Sequence, residues 1–237
     1  MPSRLRKERQ GDIVLLTLCH LQRANAVDDR LLVALREAIV EAAEQGARAA
    51  VLTGAGGVFC AGYDLHALPA NPDPEWLRGH GELEATLRLL REGPPPTVAA
   101  LTGPAVGAGL EIALSCDLRV AHSEVVLQMP PVKLGIVYTI EGIWRLATLC
   151  GAGKARELLL LAEPVSAEAA LRLGLISRLV DSSVVLETAC ALAQKMAAKP
   201  RPAVQGTRHL LEHLLRSGPS LSEEESARLL EIRQQSW

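Results

Sequence analysis

The sequence predicts an α/β fold, and three observations carry that prediction. Short β-rich apolar runs alternate with helical patterns along the first half. Two of those runs, residues 48–53 and 97–101, open directly into glycine-rich loops. From about Thr139 the chain turns helical nearly to its end.

Residues 12–18 (DIVLLTL) read as a strand, and after the turn-like Gln22-Arg23-Ala24-Asn25 a helix is expected from about Asp28. Its apolar positions Leu31, Leu32, Leu35 and Ile39 share one helical face, and Gly46 ends it. Residues 48–53 form the next strand, so the strand-helix-strand order argues for a parallel crossover whose loops at strand C-termini build the site. The glycine-rich segment 54–65 is the first such loop. A Pro- and Asp-rich stretch at 69–74 and a helix over 75–91 are expected to cover it. Pro94-Pro95-Pro96 stiffens the entry into strand 97–101. Residues 103–117 then run a glycine turn into a short helix, which presents unbonded N–H groups and a positive dipole end to an anion or a developing oxyanion. Two short strands (117–121 and 125–129), an irregular loop (130–138), a last strand near 175–180 and two amphipathic helices within 203–235 complete the reading. The basic run 4–9, ahead of the first strand, reads as a solvated edge.

Bulk properties exclude several classes. With 237 residues, 49% of them hydrophobic and 22% charged, the chain can bury a large core and is not disordered. Lys and Arg number 25 against 27 Asp and Glu, so no global field is available to hold nucleic acid or an anionic membrane surface. Five widely spaced cysteines without a C-x-x-C point to a reducing compartment. Neither a signal-type segment nor an apolar run of spanning length is present, and a cytoplasmic location is expected.

Candidate chemistry concentrates around residues 103–117. Gly107-Ala108-Gly109 follows a strand, yet the dinucleotide fingerprint needs glycine where Ile112 stands, and neither a phosphate loop nor a G-x-S-x-G occurs. Glu111 is a lone carboxylate in an apolar helix, where burial would raise its pKa for acid-base work; a structural carboxylate is the alternative. Tyr138, one of two tyrosines, is a hydrogen-bond donor candidate in the irregular loop. Cys60 has no histidine base beside it in the sequence. His209-Leu210-Leu211-Glu212-His213 matches a zinc-peptidase H-x-x-E-H spacing, but only 24 residues follow in which a third ligand could lie, and no metal is expected.

Several segments together resemble the crotonase (enoyl-CoA hydratase/isomerase) superfamily over nearly the whole chain. They are Arg23-Ala24-Asn25-Ala26, Phe59-Cys60-Ala61-Gly62-Tyr63-Asp64-Leu65, residues 103–111, Cys116-Asp117, Leu134-Gly135-Ile136, and residues 166–170 leading to Gly174-Leu175-Ile176. The resemblance implies a crotonase (ClpP-like) spiral of β-β-α units over residues 1–180. It further implies a helical trimerisation region over 181–237, in a homotrimer or dimer of trimers. It implies an acyl-CoA substrate, no cofactor beyond that substrate's coenzyme A moiety, and no nucleic-acid or membrane partner. The thioester oxygen would receive the backbone N–H groups of Tyr63 and Ala108, and coenzyme A would contact Ala24, Ala26, Ala61, Asp64 and Leu65.

Departures from the family pattern direct the chemistry. Hydratases of this family use two glutamates; the first matches Glu111, while Pro131 occupies the place of the second, leaving Glu141 as the candidate substitute. Residues 61–69, 129–138 and Gly142-Ile143 are similar to a branch of methylmalonyl-CoA decarboxylases, whose proline matches Pro131, whose functional tyrosine falls on Tyr138, and whose histidine is replaced here by Tyr63. The chain ends short of the family's usual final helix and basic tail, so weaker enclosure of coenzyme A is expected. The expected function is decarboxylation of a methylmalonyl-type CoA thioester. Hydration or isomerisation through Glu111 and Glu141 is the first alternative, and a non-catalytic acyl-CoA-binding relative is the second.

Overall fold

The computed structural model describes residues 3–67 and 81–217. Its strands are β1 (Leu5–Gln10), β2 (Ile13–Leu18), β3 (Ala49–Gly54), β4 (Thr97–Leu101), β5 (Ala105–Val106), β6 (Leu118–Ala121), β7 (Val126–Gln128), β8 (Val165–Ser166) and β9 (Arg178–Leu179). The helices are α1 (Asp29–Glu44), α2 (Gly81–Glu92), α3 (Ala108–Ser115), α4 (Ile140–Leu160), α5 (Ala167–Arg172), α6 (Val185–Ala197) and α7 (Arg201–Ser217). One sheet runs in the order β1-β2-β3-β4-β6-β9, parallel from β2 onward, and a small sheet runs β5-β7-β8.

Residues 4–9 correct the sequence reading. They form most of β1, paired antiparallel with β2 from Leu5↔Leu18 to Gln10↔Ile13. Charged side chains suit an edge strand because they deter pairing with another chain; here Arg6 pairs with Glu8, and Lys7 with Glu41 on α1. Charge patterning alone conceals such a strand. Its neighbour β2 is buried on both faces, as its unbroken apolar run requires.

Helix α1 starts where its cap dictates. The Asp28 carboxylate accepts from Leu31 N at 2.9 Å and also receives the Arg4 guanidinium at 2.8 and 2.9 Å. The face carrying Leu31, Leu32, Leu35 and Ile39 joins Val14, Leu16, Leu18 and Leu52 in the main core, and each such leucine contributes about 1.5–3 kcal/mol. The other face of the sheet, with Ile13, Leu15, Val51, Val98 and Val120, is sealed by α6 through Val185, Ala189, Ala193 and Ala197. That four-residue repeat of small side chains lets the helix lie close to the strands. Helix α7 is anchored by Arg208, which donates to Asp117 Oδ1 (2.6 Å), Gly93 O (2.6 Å) and Leu90 O (2.8 Å). The expected loop at 69–74 and the second C-terminal amphipathic helix lie outside the described residues.

The site follows from this topology. Strands β3 and β4 are parallel neighbours, so the glycine loop after one and the glycine turn after the other emerge side by side at the same sheet end.

Candidate active site

The two loops are stitched together by backbone. Phe59 N and Cys60 N donate to Pro104 O at 3.1 and 3.2 Å, and Val106 N returns a bond to Cys60 O at 3.0 Å. In the first turn of α3 the contact is so close that a Cβ on Gly109 would overlap the Cys60 carbonyl oxygen and lie 2.7 Å from Cys60 Cβ. Asn25 pins the arrangement from below. It is fully buried, left-handed at φ 58°, and its Nδ2 donates to Ala55 O (2.8 Å) and Val58 O (2.7 Å).

This stitching brings Tyr63 and Ala108 together. Tyr63 forms a parallel bridge with Val27, in which Val27 N donates to Gly62 O (2.8 Å) and Asp64 N to Val27 O (2.7 Å). Such a bridge turns the intervening Tyr63 N–H away from Val27. Gly62 takes φ 109°, and a Cβ built on it would lie 3.7 Å from Ala108 N. Ala108 is the first residue of α3, where an N–H has no intrahelical acceptor and the helix dipole is positive. Two backbone donors at one helix end can stabilise the oxygen of a thioester as it becomes an enolate, and one such donor is worth about 2.7–4 kcal/mol. The Tyr63 side chain points elsewhere: its hydroxyl donates to Asp29 Oδ1 at 2.6 Å.

Glu111 lies one turn into the same helix, 2% exposed. Its Oε1 accepts from Arg145 Nη1 at 2.9 Å. Burial raises the Glu111 pKa and the Arg145 charge opposes that rise. The Tyr138 hydroxyl is also buried, with no hydrogen-bond partner of normal geometry, and burial followed by the Glu111 charge pushes its pKa well above the ordinary phenol range. Gly142 lies between these groups: a Cβ there would be 2.5 Å from both Glu111 Oε1 and Tyr138 Cε1, and 2.9 Å from Thr139 Oγ1. A side chain at 142 would force Glu111, Tyr138 or both to shift.

The remaining sequence candidates divide. Pro131 is buried in a short 3-10 turn. Glu141 is exposed on the first turn of α4, adjacent in sequence to Gly142, and makes no ion pair with a described residue. Ala24, Ala61, Asp64 and Leu65 lie close together, with Ala61 N donating to Ala24 O at 3.0 Å, Asp64 N bonded to Val27 O, and Ala61 and Leu65 exposed, whereas Ala26 is buried. Burial pushes the Cys60 thiol up to about 12, which suppresses the thiolate a nucleophile needs. Glu212 of the H-x-x-E-H motif lies 3.5 Å from Arg91 Nε. Among the described residues no group of three or more His, Cys, Asp or Glu is placed to hold a metal. Sequence reasoning missed Arg145; the available signal was a single cation within the apolar stretch Ile143-Trp144-Arg145-Leu146, one helical turn after Gly142.

Comparison with known proteins agrees with this geometry. The family model for enoyl-CoA hydratase/isomerase matches residues 8–234. The chain is 38% identical over 205 residues to a probable enoyl-CoA hydratase of Mycobacterium tuberculosis (strain CDC 1551 / Oshkosh), covering 85% of this chain and 80% of that protein. The fold matches an enoyl-CoA hydratase of Mycobacterium smegmatis at a TM-score of 0.86 and 29% identity, over 98% of this chain and 90% of the other. A methylmalonyl-CoA decarboxylase in complex with 2-nitronate-propionyl-CoA has the same fold, with a TM-score of 0.86 over 99% of this chain and 90% of that one, at 23% identity. With the family match spanning almost every described element, the two paired loops and the buried Glu111, this chain belongs to the enoyl-CoA hydratase/isomerase family of the crotonase superfamily.

Proposed function

We propose that this protein is an acyl-CoA lyase that decarboxylates a methylmalonyl-type CoA thioester. The observation that carries the reading is the composition of the site: one buried carboxylate, bonded to Arg145, beside a buried Tyr138 hydroxyl that stands next to it and makes no hydrogen bond of normal geometry. Hydration across a double bond needs groups to hold and deprotonate a water, and Pro131 supplies none where the family's second glutamate stands. Decarboxylation needs no base to begin. The bond from Cα to the carboxylate breaks, carbon dioxide leaves, and the electron pair passes through Cα onto the thioester oxygen, where the Tyr63 and Ala108 N–H groups receive the charge. Tyr138 donates to the departing carboxylate and orients it out of the thioester plane. A proton from Glu111 or solvent then completes Cα.

Coenzyme A lies along the Ala24–Ala26, Ala61 and Asp64–Leu65 rim in this reading, and no other cofactor is required. A homotrimer or dimer of trimers fits the exposed apolar side chains Val137, Leu160 and Leu161. No helix among the described residues is long and apolar enough to cross a membrane, and cytoplasmic location remains part of the proposal. A second reading, hydration or isomerisation through Glu111, is favoured by the names of the relatives. The two are separated by kcat/KM for methylmalonyl-CoA and crotonyl-CoA measured side by side. Carbon dioxide release supports decarboxylation, hydration alone supports the second reading, and turnover of neither supports a binding protein without catalysis.

A further inference from the structure

A cleft of about 820 Å³ opens at the C-terminal end of α3 between α2, α4 and α7; Tyr63, Ala108, Glu111 and Tyr138 do not line it, while Glu141 and the Glu111 partner Arg145 do. That volume suits a small organic molecule. Two of its polar side chains are more than nine-tenths buried and incompletely bonded. Arg91, 8% exposed, gives Nη2 to Glu84 at 3.1 Å and sets Nε 3.5 Å from Glu212, but its Nη1 has no acceptor. Ser115, 3% exposed, has an Oγ with no partner. Native proteins seldom leave buried donors unmet, because each one costs about 1–3 kcal/mol.

The surroundings specify what would satisfy them. Arg145 lines the same cleft and spends only Nη1 on Glu111, and its charge, second to burial, depresses the Arg91 pKa. Glu84 and Glu212 offset the Arg91 charge and Glu111 that of Arg145, so what a ligand would add is an acceptor for the free Arg91 Nη1. A carboxylate is the matching acceptor, since its two oxygens take parallel N–H bonds from a guanidinium. The rest of the lining is mixed: Leu114, Trp144 and Leu211 give an apolar stretch, with the last two more than half exposed at the lip, beside Glu141 and beside Glu84, Glu212 and Asp117, which are already paired with Arg91 and Arg208. We propose that this cleft binds a small organic carboxylate with an apolar body, its carboxylate held by Arg91 and Arg145 with Ser115 donating a third bond, and its body against Leu114, Trp144 and Leu211.

Hexanoate is the probe and 1-hexanol the uncharged control, in calorimetric titrations of the full chain followed by a crystal structure with hexanoate. The proposal expects saturable one-to-one hexanoate binding, at least tenfold weaker in Arg91→Gln, about threefold weaker in Ser115→Ala, and absent for hexanol. Ser115→Ala keeps the test open if Arg91→Gln does not fold. In the crystal the carboxylate should lie on Arg91 and Arg145. Equal affinity for hexanol, unchanged affinity in both variants, hexanoate seated at the Tyr63–Ala108 donors, or a protein carboxylate already bonded to Arg91 Nη1 would each overturn it.

Discussion

Replacing Arg145 by glutamine strands the Glu111 carboxylate inside the fold. The pair stands at 2.9 Å with side chains 11% and 3% exposed, so little solvent screens it. Removing one partner of a buried pair typically costs about 3–5 kcal/mol, because the other charge is left uncompensated. Glu111 can recover part of that loss by taking up a proton. Burial already raises its pKa in the folded state, Arg145 opposes the rise, and without Arg145 it rises further. Between the unfolded value, about 4.3, and the raised folded value, the folded variant holds a proton that the unfolded chain has released. Its stability therefore falls as pH rises through that window, and the penalty is small near the lower end. Urea unfolding of wild type and Arg145→Gln at pH 5 and pH 7.5 measures this. The destabilisation should approach about 3–5 kcal/mol at the higher pH and be clearly smaller at the lower one. Lost packing of the arginine stem contributes equally at both, so the difference isolates the charge. A penalty that does not change with pH, or stays below about 1 kcal/mol throughout, would refute the argument.

Tyr138→Phe removes a hydroxyl that stands beside the Glu111 carboxylate without a hydrogen bond of normal geometry, so melting temperature should change little while decarboxylation falls about 100-fold with little change in coenzyme A affinity; equal turnover would remove Tyr138 from the mechanism. Asn25→Ala leaves the Ala55 and Val58 carbonyls unbonded in a left-handed turn and should cost about 2–4 kcal/mol in chemical denaturation; a loss within about 0.5 kcal/mol would mean the loops are held otherwise. Gly109→Ala forces a Cβ into the Cys60 carbonyl, and since both are backbone-fixed it should cost at least about 1–3 kcal/mol and most of the activity. An active, stable variant would place the loops further apart than described.

Much of the architecture was legible because it depends on local pattern. The i, i+4 spacing of Leu31 and Leu35 with Asp28 as cap located α1, and the apolar run 97–101 entering glycines located β4 and the start of α3. Strand β1 escaped because an edge strand needs only one paired neighbour and its charges mask the period. At the site, Tyr63 and Ala108 come from motif positions, and the backbone sets Gly62, the residue before Tyr63, beside Ala108 N. The Glu111–Arg145 pair is different in kind. It joins side chains 34 residues apart on two helices, and no periodicity in either helix reports the partner.

The central claim is that enolate formation here begins with loss of carbon dioxide. Mass spectrometry of methylmalonyl-CoA incubated with the protein in deuterium oxide tests it most directly. The account predicts propionyl-CoA carrying one deuterium at Cα, formed in step with carbon dioxide. Intact methylmalonyl-CoA under conditions where the same preparation hydrates crotonyl-CoA would contradict it.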